Sequence, residues 1–342
     1  MSANRPAVAL LLPMVVGCAP VMVDPLSPQG PARVWPPAPD VPRIRYLGAL
    51  TGSDDVQPQR TMEQILREMA HGPAAPSRLG GPHAVAVHAD DGRIAVADVQ
   101  GQCVHVFDLP GRTYTRHTTC GENGESFSSP VAVAWMADTL WVADAQLHAL
   151  AVLSPDGSSK LVGRDRLRRP AGLAVCPDRA WCYVADAGAH AVLAFDHRGN
   201  VAEQFGSQGA GPDQLNFPSH LCCGPDETLF VADSLNFRIQ RFGLDGAPRG
   251  AFGRKGDAAG DLALPKGVAA DPDGNVWVVD AQFENIQGFT PDGKLLLAFG
   301  GEGREPGMFW LPAGICISPD RRMWVADTYN RRVQVFELLR SD

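Results

Sequence analysis

Residues 229–242 read Leu-Phe-Val-Ala-Asp-Ser-Leu-Asn-Phe-Arg-Ile-Gln-Arg-Phe, and residues 323–336 read Met-Trp-Val-Ala-Asp-Thr-Tyr-Asn-Arg-Arg-Val-Gln-Val-Phe. Each stretch is an apolar run ending on Asp, a polar turn, and a second run in which large apolar residues alternate with polar ones. That alternation is the signature of strands. Working outward, the same aspartate returns six times, as Asp98, Asp144, Asp186, Asp233, Asp280 and Asp327, at spacings of 46, 42, 47, 47 and 47 residues. Nine residues after each stands Phe107, Leu153, Phe195, Phe242, Phe289 or Phe336. Some 14 to 16 residues before each stands Pro82, Pro130, Pro170, Pro218, Pro265 or Pro312. Three anchors kept in six copies define a repeat.

Each unit reads as four short antiparallel strands. In the fifth, Gly267–Ala270 is followed by the turn Asp271-Pro272-Asp273-Gly274, then by strands at 276–279, 286–289 and 294–299. The turn residues are those that supply positive φ and local hydrogen bonds. A period of 40–50 residues with four strands per unit describes a β-propeller, whose blades bury their faces on one another. The fold class is therefore an all-β, six-bladed propeller with blades starting near 82, 130, 170, 218, 265 and 312.

The two quoted stretches closely resemble the NHL-repeat consensus. The resemblance covers about residues 81 to 339 and weakens in the second copy, where Leu153 replaces Phe. It implies a six-bladed propeller, and NHL propellers commonly bind proteins, peptides or glycans. The repeated Asp reads as structural: it caps the turn and pairs with an Arg five residues on where one exists. Glycine-rich segments at 206–211, 253–256 and 300–303 are turns between blades, since none opens a helix and all recur with the blade.

The sixth copy ends near Leu339 with three strands. Residues 43–50, Arg-Ile-Arg-Tyr-Leu-Gly-Ala-Leu, have the pattern of a fourth strand and are expected to close the ring. Closure removes an exposed strand edge. The propeller domain then spans 43–339. Between the closing strand and the first blade, Thr61-Met62-Glu63-Gln64 forms a capping box, and a helix over 61–70 is expected to pack on one face of the disc.

The chain opens with Arg5, an apolar run from Ala7 to Val16, and Gly17-Cys18. This is the layout of a secretory signal over 1–18, too short to span a membrane. Val15-Val16-Gly17-Cys18 resembles a bacterial lipobox, which implies lipid attachment at Cys18. Residues 19–42 hold eight prolines and read as a semi-rigid tether. The expected location is the bacterial cell envelope, on the periplasmic side of a membrane or at the cell surface, with a lipid anchor as the sole membrane contact.

A net charge of −8 argues against nucleic acid as a partner. The Arg164, Arg166, Arg168 and Arg169 run reads as a loop between blades. An exported chain permits disulfides, and Cys103 with Cys120 and Cys176 with Cys182 flank hairpins that bring them near each other. Cys222 and Cys316 fall where other copies carry Ala, and read as small buried residues.

Chemistry in propellers sits at the central channel, near the start of each inner strand. The two residues after each repeat Pro are His83-Ala84, Val131-Ala132, Ala171-Gly172, Ser219-His220, Lys266-Gly267 and Ala313-Gly314. None is a carboxylate, which argues against a calcium-dependent lactonase. The peptide-amidating lyase holds zinc with histidines after such prolines. Here only His83 conforms, and strand alternation turns His220 to the other side. His83 is thus a weak metal candidate. His220 fills a slot that otherwise holds Gly or Ala, so His83, His220 and Lys266 form the candidate binding site at the channel mouth. The expectation is a monomeric binding or scaffold protein for a protein, peptide or glycan, without catalytic residues or a cofactor. The alternative is a lyase or hydrolase using zinc or calcium at the channel.

Overall fold

The computed structural model describes residue 26 and residues 32–56, 62–72, 75–176 and 180–340. The signal segment, Cys18 and Thr61 lie outside them. Six antiparallel sheets are arranged as blades whose inner strands contact one another in a closed ring. The inner strands are Pro82–Val87, Pro130–Met136, Pro170–Cys176, Pro218–Gly224, Pro265–Ala270 and Pro312–Ile317. Proline lacks a donor and is tolerated at the first residue of a strand.

In every blade the repeat Pro stands opposite the repeat Asp, from Pro82 with Asp98 to Pro312 with Asp327. All six aspartates are fully buried. A buried carboxylate needs donors, and each finds them in the main chain entering the blade. Asp144 accepts from the N–H groups of Ser128, Ser129, Gln146 and Leu147, and Asp186 from those of Arg168, Arg169, Gly188 and Ala189. In blades 4 and 6 an arginine adds an ion pair, Arg238 to Asp233 and Arg332 to Asp327, both at 2.8 Å. The aspartate is the staple that fixes each turn.

The ring closes as the sequence pattern requires. Ile44–Leu50 pairs with Arg332–Leu338 as the fourth strand of blade 6, Ile44 opposite Leu338 and Leu50 opposite Val333. Ile44 and Leu50 are fully buried. A fifth strand, Val34–Trp35, lies outside it and seats the Trp35 ring 5.4 Å from Phe299. Part of the proline-rich stretch is therefore docked on blade 6. The helix forms over Met62–His71, but Met62, Leu66 and Met69 are exposed instead of packing on the disc.

The cysteine pairing differs from expectation. Cys176 is bonded to Cys223 of the next blade, with Cα atoms 5.6 Å apart, within the range for a disulfide. Cys176 stands opposite Trp181, and Cys182 opposite Val175. Successive residues face opposite sides of a sheet, so Cys182 packs toward blade 2 while Cys176 packs toward blade 4. Cys103 and Cys120 are both free: Cys103 belongs to blade 1, and Cys120 to a separate two-residue ribbon at the edge of blade 2.

Candidate functional site

The ring brings His83, His220 and Lys266 together. All three line one cavity of about 390 Å³ at the channel end where the inner strands begin. His83 comes from blade 1 and His220 from blade 4, which face each other across a six-membered ring. Their imidazoles stack across the channel with centroids 5.7 Å apart. Alternation would have turned them apart. A bulge after each repeat Pro breaks it, between Pro82 and Ala84 in blade 1 and between Pro218 and Leu221 in blade 4. Bulges re-aim side chains.

The slot of His220 shows why blades 3, 5 and 6 keep Gly. A Cβ on Gly172 would stand 2.5 Å from the Ser219 carbonyl oxygen, and one on Gly267 would stand 2.4 Å from that of Ala313. In blade 4 a full imidazole occupies the position and turns into the channel. Beside it the Ser219 hydroxyl donates to the Lys266 carbonyl at 2.7 Å, and the Ser234 hydroxyl donates to that of Pro265 at 2.7 Å. These bonds tie blades 4 and 5 and fix the wall.

His83 and His220 differ in how they are satisfied. The His83 Nδ1 lies 2.7 Å from the Val131 carbonyl oxygen. Both ring nitrogens of His220 are buried without a hydrogen-bond partner among the described residues. Burial, with the Lys266 ammonium second, holds the His220 pKa at about 3; the nearby Lys266 main chain offsets this in part without reaching hydrogen-bond geometry. Burial, then Lys266, then His220 hold His83 well below its usual value, and burial lowers Lys266. At neutral pH the channel thus presents two neutral imidazoles beside one ammonium. Phe217 and Leu235 stand partly exposed on the cavity rim, and Arg169, from the arginine run, adds a cation.

None of the residues lining this cavity carries a carboxylate. Three depressions are larger, two of about 540 and 590 Å³ between blades 6 and 1 and one of about 470 Å³ between blades 5 and 6. None of them is lined by a buried polar side-chain atom without a partner among the described residues. Unmet hydrogen-bonding capacity, more than size, singles out the channel mouth.

Sequence reasoning missed one other cluster. In blade 1, Cys103 and His105 occupy the positions where blades 4 and 6 carry Arg and Gln; the Arg pairs with the staple aspartate in both blades, and the Gln bonds to it in blade 6. The sulfur of Cys103, Nε2 of His105 and Oδ2 of Asp98 converge there, buried. Comparing the fifth and seventh residues after each repeat Asp would have revealed it.

Known proteins agree on the architecture. The NHL-repeat model matches residues 79–107 and 309–336, and a model described as SMP-30/gluconolactonase/LRE-like region matches residues 207–299. No curated protein matches the chain. Among solved structures, virginiamycin B lyase from Staphylococcus aureus is 14% identical with a TM-score of 0.54, over 76% of this chain and 96% of that one. An auxiliary nutrient binding protein from Bacteroides thetaiotaomicron is 14% identical with a TM-score of 0.57, over 75% and 69%. A luciferin-regenerating enzyme is 12% identical with a TM-score of 0.57, over 75% and 90%. At such identities the likeness is one of fold, shared by enzymes and binding proteins alike.

Proposed function

Because the chain is a six-bladed β-propeller of the NHL-repeat kind, we propose that it is a binding protein of the bacterial cell envelope that takes a peptide or glycan at the channel mouth. The observation that carries this is His220. A neutral imidazole has one donor and one acceptor, and here both nitrogens are buried and unmet. The ligand that satisfies it must offer an acceptor and a donor together. Peptide amides and sugar hydroxyls do so; a simple carboxylate or an alkyl chain does not. Lys266 and Arg169 add donors, and the exposed faces of Phe217 and Leu235 suit an apolar or ring surface.

Calorimetric titration of the purified chain with a panel of short peptides and cell-wall oligosaccharides tests the reading. His220→Gly installs the residue that blades 3, 5 and 6 use, and loss of two hydrogen bonds should weaken binding roughly 10-fold or more. Equal affinity in wild type and variant would remove the channel from consideration. In this reading the chain acts as a monomer held to a membrane by a lipid on Cys18. No described helix is long and apolar enough to cross a membrane. Incorporation of radiolabelled palmitate that survives Cys18→Ala would refute the anchor.

A metal-dependent lyase or hydrolase is the second reading, favoured by the two imidazoles facing each other across the channel. It needs a third ligand, and the adjacent charged side chain is the cation Lys266. Turnover of any substrate abolished by both His83→Ala and His220→Gly, with channel-bound zinc, would establish it over the binding role.

A further inference from the structure

The cluster in blade 1 lies apart from the channel mouth and does not depend on the function assigned there. In blades 4 and 6 the staple aspartate is neutralised by side chains from its own third strand, Arg238 in one and Arg332 with Gln334 in the other. Blade 1 has Cys103 and His105 at those two positions, both buried along with Asp98. The buried anion is retained, and its customary organic cation is replaced by a sulfur and a nitrogen donor. The geometry points to a zinc ion held by Asp98 Oδ2, Cys103 Sγ and His105 Nε2.

Three features support this site. The donor atoms are mutually spaced for one small cation: Sγ to Nε2 is 3.2 Å and Nε2 to Oδ2 is 3.2 Å, with all three within 4.8 Å of one another. Zinc–ligand bonds of about 2.0–2.3 Å at tetrahedral angles give edges of about 3.3–3.5 Å. The ligand set of thiolate, imidazole and carboxylate is one that zinc accepts. The supporting contacts are also in place. His105 Nδ1 lies 2.7 Å from the Tyr114 hydroxyl, which donates to Ser77 at 2.7 Å, and Asp98 is held by the N–H groups of Gly80, Gly81 and Gly101. Partners of this kind orient metal ligands and fix the imidazole tautomer.

Arg116 is the gate. Its Nε donates to the Cys103 sulfur at 3.2 Å and its terminal nitrogen to the Gly101 carbonyl at 3.2 Å, from an exposed position on the fourth strand. When zinc enters, the guanidinium leaves the sulfur for solvent, which costs little for an exposed group. Zinc replaces the proton that His105 Nε2 directs at the Asp98 carboxylate; that proton and the Cys103 thiol proton pass to solvent, which leaves Zn²⁺ with a neutral imidazole, one thiolate and one carboxylate. The fourth position falls on the side that Arg116 vacates and is left to water or a small ligand.

The test uses the full chain, reduced and stripped by a chelator. After loading with zinc and removal of excess, elemental analysis is expected to find about one zinc per chain. The double variant Cys103→Arg with His105→Gln carries the residues that blades 4 and 6 use, so the turn should fold, and it should retain no zinc. His83→Ala with His220→Gly should leave the zinc content unchanged, which separates this site from the channel. Cobalt(II) loaded in place of zinc is expected to show a thiolate-to-metal charge-transfer band, and this readout needs no folded variant. A wild-type chain that retains no zinc, a double variant that retains as much, or a cobalt spectrum lacking the sulfur band would each overturn the proposal.

Discussion

Asp233 and His220 belong to adjacent strands of one blade, both buried, and the fold treats them in opposite ways. Asp233 ends its strand with its carboxylate bonded to the Asn216 main chain, the Asn236 amide and the Arg238 guanidinium. His220 begins the inner strand with neither ring nitrogen engaged. The first residue recurs in all six blades; the second occurs at its position in one. Burying an unmet polar group costs about 1–3 kcal/mol, so a repeat architecture that meets the needs of its buried aspartates has no structural use for a histidine with neither ring nitrogen met. Function is to be sought where the repeat is broken and the hydrogen-bond inventory fails to close.

The largest expected effect lies in the ring that holds both residues in place. Ile44 and Leu50 fill fully buried positions in the strand that closes blade 6. Cutting each to Ala should cost about 2–5 kcal/mol apiece, and deletion of residues 43–50 should abolish the single cooperative melt. An unchanged melting temperature after the deletion would show that the blades stand without closure, and the comparison would lose its rigid frame.

Within that frame the staple can be broken by itself. Asp233→Ala leaves a partly buried Arg238 with carbonyl acceptors only and is expected to lose about 3 kcal/mol. Among the described residues Asp186 meets only main-chain donors, with no arginine partner. Asp186→Ala should therefore cost less, about 1–3 kcal/mol. Equal losses in denaturant unfolding would mean that the arginine is ornamental and that the blades 4 and 6 version of the turn has no special standing.

Blades 3 and 4 are also fastened covalently. The Cys176–Cys223 bond closes a loop of 47 residues, worth about 4 kcal/mol on the chain-entropy estimate. Cys176→Ala should lower stability by up to that amount without altering ligand affinity at the channel. Among the free thiols, burial pushes Cys120 and Cys316 up to about 11 and raises Cys182 and Cys222 further. Cys120 and Cys182, which have no exposed surface, should resist alkylation in the native protein. Rapid labelling of either would show that the interface between blades opens.

What could be read from the sequence follows the same division. Anything repeated was legible, because six copies of Pro, Asp and Phe average away local accident; blades, closing strand and the structural role of Asp233 came from that. His220 was legible as an exception to its column, but its direction was not, since the bulge after Pro218 exists only in the pairing with the neighbouring strand. The disulfide was missed because hairpin neighbours were sought within a blade. Cys176 and Cys223 are one repeat apart, on inner strands that touch only when the ring forms. The Cys103–His105 pair was hidden by reading Cys103 as half of a disulfide, when its place in the repeat marks it as a substitute for Arg.

The smallest effect is the most direct probe of His220. Its folded pKa is about 3, against about 6.5 in an unfolded chain. The native state refuses a proton that the unfolded state accepts, so stability is lost as pH falls below about 6.5, by roughly 1.4 kcal/mol per pH unit. His83 is lowered too and acts with the same sign. His105 has the opposite sign: its pKa is raised, against burial, by the Asp98 and Cys103 contacts. Its contribution is present below about 6.5 and is lost as pH rises through the raised value. Subtracting His220→Gly from wild type cancels His105 and leaves of His83 only the part that His220 imposes, which has the same sign. Between pH 6.5 and pH 4.5 the wild type should lose roughly 2 kcal/mol more than the variant in urea unfolding. Equal losses would mean that His220 takes up its proton in the native state, and that its nitrogens are already met by water at the channel mouth. The contrast with Asp233 would then be one of solvent access alone.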